Sequence, residues 1–383
     1  MSVSAFPWLS RLTSVRATAA DNDLDAVVIT HPPNVRYLSG FAGSTGVLVI
    51  ERERCSLVVD SRYITSAREL VAAHRELASM SVVLATRSED ETIVELLRST
   101  DAQRIGIEGA SMPVARFNRL SAALGSRAAT SLDSGVRCPV LVAAERLVER
   151  SRIIKDAQEV ETLRRAAALL SRVARTAVPG LVRPGRREVD VAAAIDAAMR
   201  EAGFERPAFE TIVASGPQSA LPHARPTPRV LQAGDPVLLD FGGVYDGYCV
   251  DLTRTVQLAP SSDEFRRIFV AVMAAHDAAV AAVRPGVLTT DIDYAARRVL
   301  EQHGLGEAFG HGTGHGLGLE VHEEPGISKA NPARPGVLIE PGMVFTIEPG
   351  AYVPGTGGVR IEDDVLVIPG GCEVLTDVPN EIG

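Results

Sequence analysis

The sequence predicts two domains, an α/β domain over residues 1–150 and a larger α+β domain over residues 151–383 built from two similar halves. Three observations predict it. A length of 383 residues exceeds what one core comfortably fills. About the first 135 residues alternate short apolar runs with helical stretches, the pattern of a layered α/β domain. After a charged segment, an order of two helices followed by a strand pair occurs twice.

In the first domain, residues 26–30, 46–50, 56–60 and 104–108 read as strands, while 61–74 and 89–98 have helical spacing. No catalytic constellation is visible there. His31 precedes Pro32-Pro33 in a loop and reads as structural. The run from Leu141, with Glu145, Arg146, Glu149, Arg150, Arg152 and Lys155, is the expected helical linker. Helices are then expected near 156–178 and 187–202, followed by a strand pair over 235–257. Helices near 263–283 and 289–303 precede a second strand pair over 342–368. The repetition implies a pseudo-two-fold domain whose two sheets face a shared cleft.

Composition bounds the function. The chain is 46% hydrophobic and 23% charged without biased tracts, enough apolar material for a large core. A net charge of −9 argues against the basic face of a nucleic-acid binder. Cys55, Cys138, Cys249 and Cys372 are scattered with no CxxC pair, which argues against a disulfide framework or a zinc knuckle. The amino terminus carries Arg11 and Arg16 but no continuous apolar segment, and no run approaches the roughly 20 apolar residues of a membrane span. The expectation is a cytoplasmic protein with neither nucleic acid nor membrane as partner.

Chemistry is expected where acids interrupt apolar strands. The first strand pair contains Asp240 and Asp251 around the turn signal Asp246-Gly247. With a two-residue loop, paired positions sum to an odd number, so Asp240 and Asp251 share a face as diagonal neighbours. Two like charges that close on a half-buried sheet repel unless a cation lies between them. The second pair offers Glu348, which ends an apolar run before Pro349-Gly350, and Glu362, Asp363 and Asp364. Glu362 and Asp364 share a face, and periodicity does not choose between them. Between the pairs, residues 310–318 carry five glycines in nine positions, with His311 and His315 among them and His322 just beyond. Such a stretch lets backbone approach something closely, and the three histidines form a ligand-type cluster. His276 and His303 lie on helices and read as structural. One imidazole among several carboxylates suits manganese, iron or cobalt and also accommodates zinc. Four carboxylates would neutralise two divalent ions, an arrangement that activates water and clamps a transition state.

These motifs, in this order, resemble the "pita-bread" metallopeptidases, specifically the prolidase and aminopeptidase P branch, over nearly the whole chain. The resemblance is carried by Asn34-Val-Arg-Tyr-Leu-Ser-Gly40, Leu221-Pro-His223, Leu239-Asp240-Phe-Gly, Asp251-Leu-Thr-Arg, His311 through His315, Glu348-Pro-Gly and Arg360-Ile-Glu362. It implies a non-catalytic amino-terminal domain of the creatinase/prolidase type and a pita-bread catalytic domain. It implies that Asp240, Asp251, His315, Glu348 and Glu362 hold two divalent metal ions, manganese first, with cobalt or zinc as alternatives. It also implies that His223, His311 and His322 hold the substrate and stabilise the tetrahedral intermediate, with Glu348 moving the proton. Arg360 and Arg334 are implied in substrate binding, Arg334 as a grip on a free carboxylate. The expected reaction is hydrolysis of the Xaa-Pro bond in small proline-containing peptides, by a homodimer. Dipeptides favour prolidase and longer peptides favour aminopeptidase P. Relatives that have lost their metals leave a non-catalytic peptide-binding module as the alternative of another class.

Overall fold

The computed structural model describes residues 7–125, 138–260, 262–332 and 335–380. The chain divides into two compact units, Met1–Arg152 and Ile153–Gly383.

The first unit runs α1 (Trp8–Asp21), β1 (Ala26–Ile29), α2 (Pro32–Ser39), β2 (Val47–Glu51), β3 (Cys55–Val59), α3 (Ile64–Ala73), β4 (Met80–Leu84), α4 (Glu89–Arg98), β5 (Arg104–Glu108), α5 (Val114–Gly125), β6 (Val140–Ala144) and α6 (Glu149–Ile153). One six-stranded sheet of order β4-β3-β2-β1-β5-β6 results, parallel at β3–β4, β1–β5 and β5–β6. The run over 141–155 is therefore not a linker helix. Val140–Ala144 is an edge strand, and only Glu149–Ile153 is helical. Its apolar start pairs with β5 because the aliphatic residues there complete the sheet core with Ile105 and Ile107. Helix α4 shows local logic: Ser88 accepts from the Glu91 amide, three acids occupy the first turn, and Ile93, Val94 and Leu97 form the buried stripe.

The second unit opens with α7 (Ala157–Thr176), started by a capping box between Asp156 and Glu159. Its stripe of Leu163, Ala166, Leu170, Val173 and Ala174 is buried, each leucine stabilising by about 1.5–3 kcal/mol. There follow α8 (Val178–Leu181), α9 (Glu188–Ala202), β7 (Arg206–Pro207), β8 (Ile212–Ser215), β9 (Pro236–Tyr245) and β10 (Tyr248–Gln257). The second half runs α10 (Asp263–Ala282), α11 (Thr289–Gln302), β11 (Gly314–Gly316), β12 (Glu323–Ile327), β13 (Val344–Ile347), β14 (Gly350–Val353), β15 (Gly357–Arg360), β16 (Asp363–Ile368) and β17 (Gly371–Val374). Each half has its own core: Leu170, Ile195, Leu239 and Phe241 in the first, and Ile268, Ile292, Phe345 and Val365 in the second.

The β9–β10 hairpin turns at Asp246 (φ 47°) and Gly247 (φ 78°), the conformation a two-residue hairpin loop requires. Asp240 pairs with Thr253 and Asp251 with Gly242, so the two acids are diagonal neighbours on one face. Both strands are buried almost end to end rather than half-solvated. The second strand pair is not a simple hairpin. β13 pairs with β16, but residues 350–360 between them leave as a separate two-stranded hairpin, β14–β15. Pro349 lacks an amide hydrogen for the ladder, so the strand cannot run on unbroken.

Candidate active site

The hairpin carries Asp240 and Asp251 into the interior, 8% and 5% exposed, so neither is a solvated strand acid. Glu362 arrives from the other half through one bridge: its amide donates to the Thr253 carbonyl (3.1 Å), and the Thr253 hydroxyl donates to its Oε2 (2.5 Å). Thr253 is also the residue opposite Asp240, so three acids gather around one threonine.

His315 lies on β11, wedged between β12 and β13. The wedge explains the glycines beside it: a Cβ at Gly314 would overlap the Thr346 carbonyl, and one at Gly316 the Glu324 carbonyl. Nδ1 of His315 lies 3.1 Å from the Gly316 carbonyl, which favours a proton there. Nε2 then faces Glu348 Oε1 at 3.4 Å and Asp251 Oδ2 at 4.0 Å with its lone pair available. The Glu348 amide donates to the Thr313 carbonyl at 2.7 Å, which fixes the end of β13 beside the histidine stretch.

Asp251, His315 and Glu362 offer ligand atoms within 4.8 Å of one another. Among the described residues, Asp240 Oδ1 and Asp251 Oδ1 are buried without a hydrogen-bond partner. Unpaired buried carboxylate oxygens cost several kcal/mol, and a divalent cation would satisfy them. Electrostatics agrees. Burial pushes Asp251 well up, and the charges of Glu362 and Asp240 push it further. Glu362 is raised by burial and by Glu348 and Asp240. Burial raises Glu348 to about 7 against the opposing pull of Arg360. This donor set, oxygen-rich with one imidazole, fits divalent cations.

The remaining residues sort by what they touch. His223 and His322 are exposed, and the His322 ring stands edge-on to His315 at 4.3 Å. His311 is half-buried, Nδ1 on the Gly312 carbonyl (2.8 Å) and Nε2 on the Tyr352 hydroxyl (2.9 Å). Its burial pushes the ring down to about 4, so it is neutral near pH 7. Arg360 lies among the expected ligands. It is 2% exposed, its guanidinium engaged by Asp240, the Tyr352 hydroxyl, Thr253 and the Pro222 carbonyl. Through the first of these bonds it orients Asp240. Arg334 lies outside the described residues. Asp364 sits behind the site, accepting from the Asp251 amide (3.1 Å), and Asp363 points away to Arg254 and His276.

Sequence reasoning missed Thr253, Thr346 and Tyr352. Thr346 accepts from the His315 amide and reaches Glu348 at 3.4 Å. The odd-sum register places Thr253 opposite Asp240 and could have found it. Nothing local marks Tyr352, which reads as an ordinary strand aromatic.

Residues 161–369 match the Metallopeptidase family M24, and residues 11–154 match the Creatinase/Prolidase N-terminal domain. A Pyrococcus furiosus protein named Xaa-Pro dipeptidase is 33% identical over 363 residues, 94% of this chain and 96% of that one. The structure of an Xaa-Pro dipeptidase from Bacillus anthracis superposes with a TM-score of 0.89 at 32% identity, covering 98% of this chain and 99% of that one. An X-Pro aminopeptidase from Thermotoga maritima gives 0.84 at 31% identity, covering 97% and 98%. With the family matched over most of the chain and a buried acid–histidine cluster at its centre, the chain belongs to metallopeptidase family M24, with an amino-terminal domain of the creatinase/prolidase type.

Proposed function

We propose that this protein hydrolyses the Xaa-Pro bond of small proline-containing peptides, dipeptides first, as a prolidase. A metallopeptidase of this family uses divalent metal. The observation that carries the reading is the buried cluster of Asp251, His315 and Glu362 in a chain similar over nearly its whole length to Xaa-Pro dipeptidases. Asp240, Asp251, His315, Glu348 and Glu362 would hold two divalent ions, manganese first, with cobalt or zinc as alternatives. Bound metal supplies Lewis-acid polarisation and an activated water.

The chain's own groups do the rest. Glu348, its carboxyl raised to about 7 by burial, suits moving a proton from the attacking solvent to the departing nitrogen. That nitrogen belongs to proline's tertiary amide and offers no N–H to bind, so recognition falls on the ring and its carboxylate. His223 and His322, both exposed, hold the substrate and donate to the developing oxyanion. Neutral His311 serves the same intermediate beside Tyr352. Arg334 grips the free carboxylate of a terminal proline with its planar fork.

Residues 1–150 are read as the non-catalytic domain and 151–383 as the catalytic one, which the family matches at 11–154 and 161–369 support. The protein is further read as a cytoplasmic homodimer. Among the described residues no helix is long and apolar enough to cross a membrane. The likeness to the Thermotoga maritima enzyme keeps aminopeptidase P as the second reading. Rates on an Xaa-Pro dipeptide and an Xaa-Pro tripeptide, measured side by side, decide. Faster dipeptide cleavage, with Arg334→Ala raising KM for it more than for an amidated substrate, is expected. Preference for the longer peptide would transfer the assignment to aminopeptidase P.

A further inference from the structure

We propose that Asp293 and Arg297 are positioning residues for His311, acting through the main chain of residues 309–313; the proposal rests on the peptidase reading above. The two lie one turn apart on α11, 1% and 8% exposed. They form a forked pair, Nε to Oδ2 at 2.6 Å and Nη2 to Oδ1 at 3.0 Å. Neither touches a side chain of the five expected ligands. Their remaining bonds go to the histidine stretch. Arg297 donates to the Phe309 carbonyl (3.1 Å) and the His311 carbonyl, and its guanidinium lies 4.2 Å over the Phe309 ring. Asp293 Oδ1 accepts from the Thr313 hydroxyl (2.9 Å) and the Thr313 amide (3.2 Å).

A buried ion pair is a weak device for stability, since a well-packed apolar pair often serves as well. What it supplies is directed hydrogen bonds. In and beyond the segment it grips, glycines occupy every second position from 310 to 318, so only the alternate side chains can pack. Glycine-rich backbone loses the most conformational freedom on ordering, so the ordering must come from outside. A rigid helix provides it on both sides of His311. The same grip extends one step further, because the Thr313 carbonyl accepts the Glu348 amide at 2.7 Å. The first half lacks the device. Aligning the Pro-Gly turns that open α9 and α11 puts Ala192 and Asp196 at the equivalent positions. Among the described residues, Asp196 there takes the Thr211 hydroxyl, at 2.6 Å, and no arginine fork.

The test uses Arg297→Lys, which keeps the charge but loses the fork, and Arg297→Met, which loses both. For the manganese-loaded enzyme on alanyl-proline, kcat should fall about 10-fold for Lys and about 100-fold for Met, the scale of a small misplacement of a catalytic group. KM should stay within about threefold, and metal content should be unchanged. In the metal-free protein, NMR titration of His311 should move from about 4 toward the ordinary 6.5 in Arg297→Lys. That readout needs no substrate, so it judges the proposal even if the wild-type chain proves inactive on Xaa-Pro peptides, an outcome that would sink the peptidase reading instead. An unchanged His311 titration with only a lower Tm overturns the proposal. So does metal loss in step with activity. Should Arg297→Met fail to fold, Thr313→Val, which removes one hydroxyl from Asp293, carries the same test: a raised His311 titration supports the positioning role, and an unchanged one overturns it.

Discussion

The two halves of the Ile153–Gly383 unit use one order of elements and deliver their acids differently. In the first half, Asp240 and Asp251 sit on an uninterrupted hairpin of two ten-residue strands, and register alone brings them together. In the second, Glu348 ends β13 and Glu362 precedes β16, with a separate hairpin between them. Those acids meet through tertiary contacts: Thr313 with the Glu348 amide, and Thr253 with Glu362. The turns that start the helices show the same divergence on a common plan. Gly185 and Gly286 both adopt left-handed backbone (φ 89° and 86°), and both turns pair with a later strand segment, Arg187 with Val230 and Leu288 with Leu338. Yet Glu188 gathers four side-chain bonds from Ser215 and Thr227, where Thr289 exchanges bonds with Val337. A duplicated scaffold thus keeps backbone geometry while each half settles its polar groups separately.

The largest test of this comparison removes what both halves are proposed to share. Chelation should abolish hydrolysis and manganese or cobalt should restore it; full activity in rigorously metal-free protein would end the metal reading. Next, one ligand from each half can be neutralised. Asp251→Asn and Glu362→Gln should each lower metal content and turnover together. The metal-free Tm should hold or rise, because each change removes one of several mutually repelling acids. If one variant retained normal metal and turnover, the halves would not be contributing jointly.

A smaller effect is expected at the histidines that each half places at the surface. His223→Ala and His322→Ala should lower kcat by roughly 10²–10³-fold with metal content intact, the usual range for a lost transition-state donor. Metal loss in either would move that residue into the ligand set.

The smallest effect is a pH slope in the metal-free protein. Glu348 titrates in the folded state near 7, above its unfolded value near 4.5. The folded state therefore binds the extra proton, and this stability is present at low pH and lost as pH rises through about 7. The buried histidines are shifted down and act with the opposite sign as pH rises through the ordinary 6.5 of the unfolded chain. Between pH 5 and 8 the metal-free Tm of the wild type should therefore fall relative to that of Glu348→Gln, which lacks this one titration. Equal slopes in the two proteins over this window would contradict the burial of Glu348.

Much of the scaffold was legible because it is local. Turn chemistry at Asp246-Gly247 and the period of two determine the β9–β10 register, hence the shared face of Asp240 and Asp251. The helices near 156–178 and 263–283 are found as α7 and α10, and alternation separates Asp363 from its neighbours. What stayed hidden depends on residues far apart in the chain. Parity left Glu362 and Asp364 equivalent; only the approach of Thr253 turns one into the cluster, while the other accepts the Asp251 amide. Nothing near Arg360 in the chain shows that Asp240, Tyr352 and Pro222 will surround it. Val140–Ala144 was merged with the charged run behind it, since a short apolar stretch becomes a strand only when β5 supplies its hydrogen bonds. Sequence by itself determined most of the elements and the residue types that chemistry needs, because those follow from backbone preference and side-chain spacing within a few residues. Tertiary structure alone decided which acid, arginine or hydroxyl does which task, because burial and hydrogen-bond partners are set by segments more than 100 residues apart, as Thr253 and Glu362 are.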